Sequence, residues 1–240
     1  MVDDITPAFQ RAKERYADGE LVLLIDGSGG MPAAYNEGKS NAFVISVEYA
    51  IEAKNVTPGR VSAHVFGETK ALPPLPLDGK EDPMRYCPCG PSYFTPAFDA
   101  FAKAYEDGKI GKPAHIVIIS DGVIFEAPSE DKTKPSPTIK ETLLTFLRAH
   151  PEVMFDMIVP GGGEFDELSR MTKEIALLLP DNPPRLFAVD SAQDLKKSIA
   201  DVVNERNSGE TLDQVAEKAV KGVDNASTMP ALRFRKPENI

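Results

Sequence analysis

Oxygen-bearing side chains stand at three places where the sequence predicts that a buried strand ends or a helix begins. Asp26 and Ser28 follow the first apolar run, Asp121 follows the third, and Thr95 precedes a proline that opens an amphipathic segment. Carboxylate and hydroxyl oxygens are the ligands that hard cations such as Mg²⁺ prefer, and Mg²⁺ keeps coordination positions for water or for another oxygen. The chemistry that these residues could support is therefore the binding of a divalent cation.

Five short apolar runs predict the strands that would position these residues. They are residues 21–25, 61–66, 116–119, 153–159 and 186–189. Several are continuous rather than alternating, which is typical of strands in a parallel sheet that is covered on both faces. Apolar residues at helical spacing lie between the runs, as in Phe98, Phe101 and Tyr105. The alternation predicts an α/β fold: a three-layer, doubly wound, mostly parallel central sheet with helices on both sides.

One segment departs from this alternation. Residues 71–77 follow the second predicted strand after a short turn and contain Pro73, Pro74 and Pro76. Proline cannot donate a hydrogen bond to a strand ladder, so the segment is barred from the sheet interior. We predict one antiparallel edge strand here, or a loop in its place.

The domain organisation follows from the extent of these patterns. Residues 1–206 are predicted to form one domain, which begins with a helix capped by Thr6. Residues 207–240 form a C-terminal extension, with a helix at about 211–223 whose apolar stripe should dock on the domain, followed by an irregular tail.

Composition excludes some classes of partner. The formal net charge is -10, so the chain should repel nucleic-acid phosphates and anionic lipid. The sequence shows no apolar segment of membrane-spanning length and no secretory signal pattern at its start. Cys87 and Cys89, the two cysteines, are too close in sequence for an easy unstrained bridge, and two ligands do not make a zinc site. We therefore expect a cytoplasmic protein with reduced thiols.

The predicted sheet brings the oxygen-bearing residues to one edge, because the carboxyl ends of parallel strands meet there and ligands bind beyond them. At this point the sequence resembles the von Willebrand factor A-type (vWA) domain family. Asp26 and Ser28 match its Asp-x-Ser-x-Ser motif, Thr95 its threonine before a helix, and Asp121 its Asp-Gly after the fourth strand. The resemblance covers about residues 19–206 and implies a Rossmann-like vWA fold.

The resemblance also implies a function, which is a metal-ion-dependent adhesion site rather than an active site. Asp26, Ser28, Thr95 and Asp121 would hold Mg²⁺, or Ca²⁺ or Mn²⁺ in its place, and an acidic residue of a partner protein would complete the coordination. Gly30 stands where the family has its second serine, so one hydroxyl ligand is missing, and neither Ser40 nor Ser120 can be assumed to replace it.

Other interpretations stay open at this point. Taken singly, Asp26 and the Asp121–Gly122 pair are common in turns, and Thr95 before Pro96 is a common helix N-cap. The chain could be a metal-free vWA scaffold that binds through another face. It could also be a Mg²⁺-dependent phosphohydrolase, although we see no basic residue placed to hold a phosphate and no nucleophile–base pair. The glycines around Ser28 match neither phosphate-binding motif.

Overall fold

The computed structural model describes residues 19–33, 41–56, 61–67, 70–112, 114–122, 124–125, 138–160, 166–189 and 191–208. In this part of the chain the structure has five strands: β1 Glu20–Asp26, β2 Val61–Phe66, β3 Ala114–Ile119, β4 Met154–Pro160 and β5 Arg185–Val189. They form one sheet in the order β2-β1-β3-β4-β5, and every neighbouring pair is parallel. The expected α/β architecture is confirmed.

Helices cover both faces of the sheet. They are α1 Gly30–Ala33, α2 Ala42–Val56, α3 Thr95–Glu106, α4 Ile139–Ala149, α5 Asp166–Leu178 and α6 Ala192–Ser208, with a short 3-10 helix at Pro83–Tyr86. Buried residues of α2 and α6 share one apolar cluster with one face of the sheet. Those of α3, α4 and α5 share a second cluster with the other face. The chain is therefore doubly wound in three layers, as predicted.

Strands β1 and β3 are buried as their sequences predict. Every residue of β1 after Glu20 is buried, and so is every residue of β3. Neighbouring residues of β1 enter different clusters, since Leu23 packs on one face and Leu24 on the other. Full burial of such a side chain stabilises the fold by about 1.5–3 kcal/mol, so a strand covered on both faces needs a continuous apolar sequence.

The expected antiparallel edge strand is not present in the described part of the chain. Residues 71–77 form a loop, in which Leu75 N donates a backbone hydrogen bond to Ala63 O at 2.8 Å. Leu75 and Leu77 are buried against the α2 side of the sheet. Pro73, Pro74 and Pro76 lack the N–H groups that a ladder requires, so the segment packs on the sheet without extending it.

Two further expectations lie outside the described residues: the N-terminal helix that begins at Thr6, and most of the extension 207–240 with its helix at about 211–223. Helix α6 runs to Ser208, past the expected boundary at residue 206. Among the helices that the structure describes, none has the length and apolar character needed to cross a bilayer.

A buried ion-pair network joins β3, β4, β5 and α6. The carboxylate of Asp156 is fully buried and accepts hydrogen bonds from Arg185 Nε at 2.8 Å and Arg185 Nη2 at 2.9 Å. His115 Nε2 lies 2.8 Å from Asp156 Oδ2, and Arg185 Nη2 also donates to Val202 O at 3.2 Å. The network connects α6 to the sheet through the guanidinium group of Arg185.

We expect Asp156→Asn to lower the free energy of unfolding by about 3 kcal/mol, because removal of one member of a buried pair leaves the other charge uncompensated. Urea denaturation at neutral pH measures the loss. The control is Glu174→Gln, which breaks a half-exposed pair with Lys140 and should cost at most about 1 kcal/mol. Equal losses in the two variants would contradict this account of the network.

Candidate metal-binding site

The carboxylate of Asp26 is buried at the carboxyl end of β1 and connects two strand ends. Its Oδ1 accepts a hydrogen bond from Ser28 N at 2.8 Å, and its Oδ2 accepts one from Ser120 Oγ at 2.7 Å. Ser120 Oγ in turn accepts from Gly122 N at 3.2 Å. The bond from Ser28 N makes Asp26 a turn-forming residue, and the bond from Ser120 brings the end of β3 to the same carboxylate.

Burial raises the pKa of Asp26 from 3.8 to about 6. Desolvation is the largest cause, because it disfavours the charged carboxylate. The hydrogen bonds from Ser120 and Ser28 N lower the pKa again, and the negative charge of Asp121 raises it. At neutral pH the folded chain therefore carries a buried negative charge that its own residues compensate only in part.

The strand order places this carboxylate at the switch point of the sheet. β1 pairs with β3 so that Ile25 lies opposite Ile119, and the chain then leaves β1 and β3 towards helices on opposite faces. A crevice opens where adjacent strands send their connections to opposite sides, and in open α/β sheets ligands bind in this crevice. Asp26 and Asp121 are thus at the edge where the fold favours a ligand.

A segment between the 3-10 helix and α3 crosses the same edge. Ser28 forms an isolated parallel bridge with Gly90, and Tyr93 forms one with Phe125, which follows β3. Phe125 N also donates to Ser92 O at 2.7 Å. The hydroxyl of Ser92, which is buried, is close enough to Asp26 to lower its pKa. The segment therefore covers the ends of both β1 and β3 and leads directly into Thr95.

Two of the expected ligands have buried hydroxyl groups that lack a protein partner. Ser28 Oγ and Thr95 Oγ1 have no hydrogen-bond partner within the described part of the chain. Thr95 is not the N-cap of α3, because the helix begins at Thr95 and its N-cap is Phe94, which makes no side-chain cap bond. Buried hydroxyl groups are normally hydrogen-bonded, so these two oxygens are suited to a cation or an ordered water.

Aromatic packing fixes the start of α3 and thereby the position of Thr95. The ring of Phe94 contacts Phe66 of β2 edge to face, with centroids 5.5 Å apart, and stacks on Phe98 at 5.1 Å. Phe94 and Phe98 are buried. Since aromatic pairs of this kind contribute about 0.5–1.5 kcal/mol beyond the area they bury, the helix start is held rigidly against β2.

The carboxylate of Asp121 occupies the space beside Gly30. A Cβ atom at Gly30 would lie 1.5 Å from Asp121 Oδ2 and 2.8 Å from its Cγ. Gly30 is the first residue of α1 and has no positive φ, so its backbone alone would accept a side chain. A serine at position 30 would therefore not simply supply the missing hydroxyl, because any side chain there displaces Asp121.

The donor set fits a hard divalent cation. Two carboxylates, one buried and one half-buried, and two unpartnered hydroxyl groups offer only oxygen ligands. Within the described residues, no group of three or more His, Cys, Asp or Glu side chains could hold a metal ion. The set would therefore depend on the hydroxyl groups of Ser28 and Thr95 as well as on Asp26 and Asp121.

Sequence reasoning missed the role of Ser120. It identified Asp121 as the residue after β3 and did not assign Ser120, although Ser120 is the one that bonds to Asp26. The strand register explains the contact. Ile25 pairs with Ile119, so the residues that follow them, Asp26 and Ser120, lie next to each other. A pairing register between β1 and β3 would have revealed the contact, but local patterns do not specify it.

We expect Asp26→Asn to stabilise the fold at neutral pH in a chelating buffer. Between pH 3.8 and about 6 the unfolded chain has lost the Asp26 proton and the folded chain keeps it. The free energy of unfolding therefore falls as pH rises through this window, by on the order of 2–3 kcal/mol. Asparagine removes this loss, since its amide can donate to Ser120 Oγ.

Urea denaturation of both proteins across this pH window measures the difference. The control is Glu48→Gln on α2, since Glu48 is exposed, and this variant should follow the wild type at every pH. An asparagine variant that is no more stable than the wild type at neutral pH would show that the charge of Asp26 is already compensated.

Two substitutions at Gly30 distinguish the effect of an added Cβ from the effect of an added hydroxyl ligand. Gly30→Ala adds only the Cβ that meets Asp121, so it should weaken Mg²⁺ binding, while Gly30→Ser adds the same Cβ and a hydroxyl. We expect the serine variant to bind Mg²⁺ about tenfold more tightly than the alanine variant, equivalent to about 1.4 kcal/mol for one added oxygen ligand. Calorimetric titration measures both. Identical affinities of these two variants would mean that the hydroxyl does not reach the cation.

No family model matches the chain, and no curated protein matches it. Among solved structures the chain is similar to the PilB minor pilin from Streptococcus sanguinis, with 10% sequence identity and a TM-score of 0.51 over 80% of this chain and 62% of that chain. It is also similar to proximal thread matrix protein 1 from the mussel byssus, with 12% identity and a TM-score of 0.50 over 78% of this chain and 47% of that chain. The chain thus spans less than two thirds of both proteins. At these identities the likeness shows the fold alone.

Proposed function

We propose that the chain is a vWA-type protein-binding module with a divalent cation, Mg²⁺ or alternatively Ca²⁺ or Mn²⁺, on Asp26, Ser28, Thr95 and Asp121. The observation that carries the proposal is the pair of buried, unpartnered hydroxyl groups of Ser28 and Thr95 at the edge where Asp26 is buried. A cation would satisfy both oxygens and the carboxylate at once. The match of these four residues to the family motifs supports the same assignment.

Electrostatics also favours a cation at this place. Burial raises the pKa of Asp26, and the hydrogen bonds to its carboxylate offset this only in part. A divalent cation would compensate both Asp26 and Asp121, and binding would release the proton that Asp26 otherwise holds below pH 6. Cation binding should therefore weaken as the pH falls through this pKa.

The partner is an acidic residue of another protein, whose carboxylate completes the coordination of the cation. A cleft of about 550 Å³ begins at Gly122, next to Asp121, and is lined by Ile124, Phe125, Lys140 and Met171 among others. Phe125 is exposed. The mixture of apolar and basic side chains that lines this cleft suits a protein segment that presents a carboxylate near apolar residues. We place this module in the cytoplasm, on its acidic composition and two free thiols.

Two other functions remain as alternatives. In a metal-free scaffold, the unpartnered hydroxyl groups would be satisfied by ordered water, and binding would use another face. In a Mg²⁺-dependent phosphohydrolase, the same cation would polarise a phosphate. The three functions differ in whether Mg²⁺ binds and in whether a bound phosphate ester is turned over.

We expect Mg²⁺ to bind the wild type at neutral pH and to bind about tenfold more weakly at about pH 5, where most Asp26 is protonated. Ser28→Ala and Thr95→Val should each weaken binding about tenfold or more, because each removes one oxygen ligand. Calorimetric titration measures the affinities, and thermal denaturation in chelator confirms that the variants are folded.

The matched control is Ser62→Ala. Ser62 Oγ is also buried without a partner in the described part of the chain, but it lies near the amino end of β2, at the opposite edge of the sheet. This variant should bind Mg²⁺ like the wild type. Absence of Mg²⁺ binding in the wild type would favour the metal-free scaffold. Mg²⁺-dependent hydrolysis of p-nitrophenyl phosphate that is lost in Asp26→Asn would favour the phosphohydrolase.

A further inference from the structure

The two cysteine sulfurs lie against each other beside the candidate metal-binding site. Cys87 Sγ and Cys89 Sγ are 3.0 Å apart, and both are free thiols. The sequence spacing alone gave no reason to expect this contact. Cys89 has φ of 53°, a left-handed conformation that residues other than glycine rarely adopt. The fold therefore holds this dithiol in an unusual backbone conformation.

Contacts with the loop after β1 hold this conformation. Cys89 N donates to Gly27 O at 2.8 Å, and Cys87 Sγ donates to the same oxygen at 3.3 Å. Pro88 packs so tightly on Gly27 that a Cβ there would lie 2.5 Å from Pro88 Cδ. Strained backbone conformations persist where the surrounding structure determines them, and they cluster at functional sites.

We propose that Cys87 and Cys89 form a redox-active dithiol site, at which a small disulfide such as glutathione disulfide oxidises the pair to an intramolecular disulfide.

The reaction is two consecutive thiol–disulfide exchanges. The deprotonated sulfur of Cys89 attacks one sulfur of glutathione disulfide, the oxidant's S–S bond breaks, and one glutathione thiolate leaves. Cys87 then loses its proton and attacks the Cys89 sulfur of the mixed disulfide, and the second glutathione leaves. The protein loses two electrons and two thiol protons, and the oxidant becomes two molecules of glutathione.

The environment of each sulfur sets this order. Cys89 is exposed and meets the oxidant first, while Cys87 is half-buried. Burial, and then the hydrogen bond with Cys89, raises the pKa of the Cys87 thiol to about 12. A thiol with a raised pKa is a poor first attacker. Cys87 is suited to the second step, where the target sulfur is already in contact with it.

Folding should favour the disulfide because the folded chain already holds the sulfurs in contact. We expect the equilibrium constant for oxidation by glutathione disulfide to be at least about tenfold larger for the folded chain than for the chain in concentrated urea. This corresponds to a reduction potential about 30 mV more negative. Acid quenching, alkylation of the remaining thiols and mass spectrometry of the intact full-length chain measure the oxidised fraction.

The wild type should lose two hydrogens and carry no glutathione, and dithiothreitol should restore both thiols. Cys87→Ser should accumulate a stable glutathione adduct on Cys89, because the second thiol is absent. Cys89→Ser should react more slowly, at the half-buried Cys87. Thermal denaturation of each variant verifies that it is folded.

Three results would overturn the proposal: a stable glutathione adduct on the wild type, thiols that stay reduced under excess glutathione disulfide, or equal equilibrium constants in the folded and urea-unfolded chains. The first would show that Cys87 does not resolve the mixed disulfide. The second would show that the pair is not accessible to the oxidant. The third would show that folding does not hold the two thiols in a geometry that favours the disulfide.

Discussion

The burial of one carboxylate at the end of β1 is the constraint on which the rest of the site depends. Ser28 N and Ser120 Oγ bond to the two oxygens of the buried Asp26 carboxylate, and these bonds fix the turn after β1 and the end of β3. Even so, its pKa stays near 6. The fold thus maintains a charge that it does not fully compensate, and this charge costs stability at neutral pH.

The sheet order makes such a site possible. Because β1 and β3 are neighbours and their connections go to opposite faces, a crevice forms between their carboxyl ends. The segment from Gly90 to Thr95 enters this crevice through its bridges to Ser28 and Phe125. It carries the buried hydroxyl groups of Ser92 and Thr95. The topology determines where a ligand could bind, and this segment determines which chemistry is available there.

The sequence predicted those parts of the structure that local residue patterns determine. Continuous apolar runs predicted all five strands, and helical periodicity predicted the helices that cover them. The positions of Asp26 and Asp121 at one edge followed from parallel strands alone. The buried network around Asp156 was not predicted, because one carboxylate within an apolar run has no recognisable partner until the register pairs it with Arg185. The edge segment 71–77 was ambiguous, since proline excludes a central strand but does not choose between an edge strand and a loop.

The glycines after β1 show why side-chain geometry could not be predicted from this sequence. In the sequence, Gly27 and Gly30 match neither phosphate-binding motif, and local patterns do not indicate which neighbours they face. In the structure each glycine leaves space for a specific neighbour: Gly27 for Pro88 and Val65, and Gly30 for the carboxylate of Asp121. A side chain at position 30 and the present position of the Asp121 carboxylate exclude each other. The motif comparison could not show this, because Gly30 and Asp121 are far apart in the sequence and only the fold brings them together.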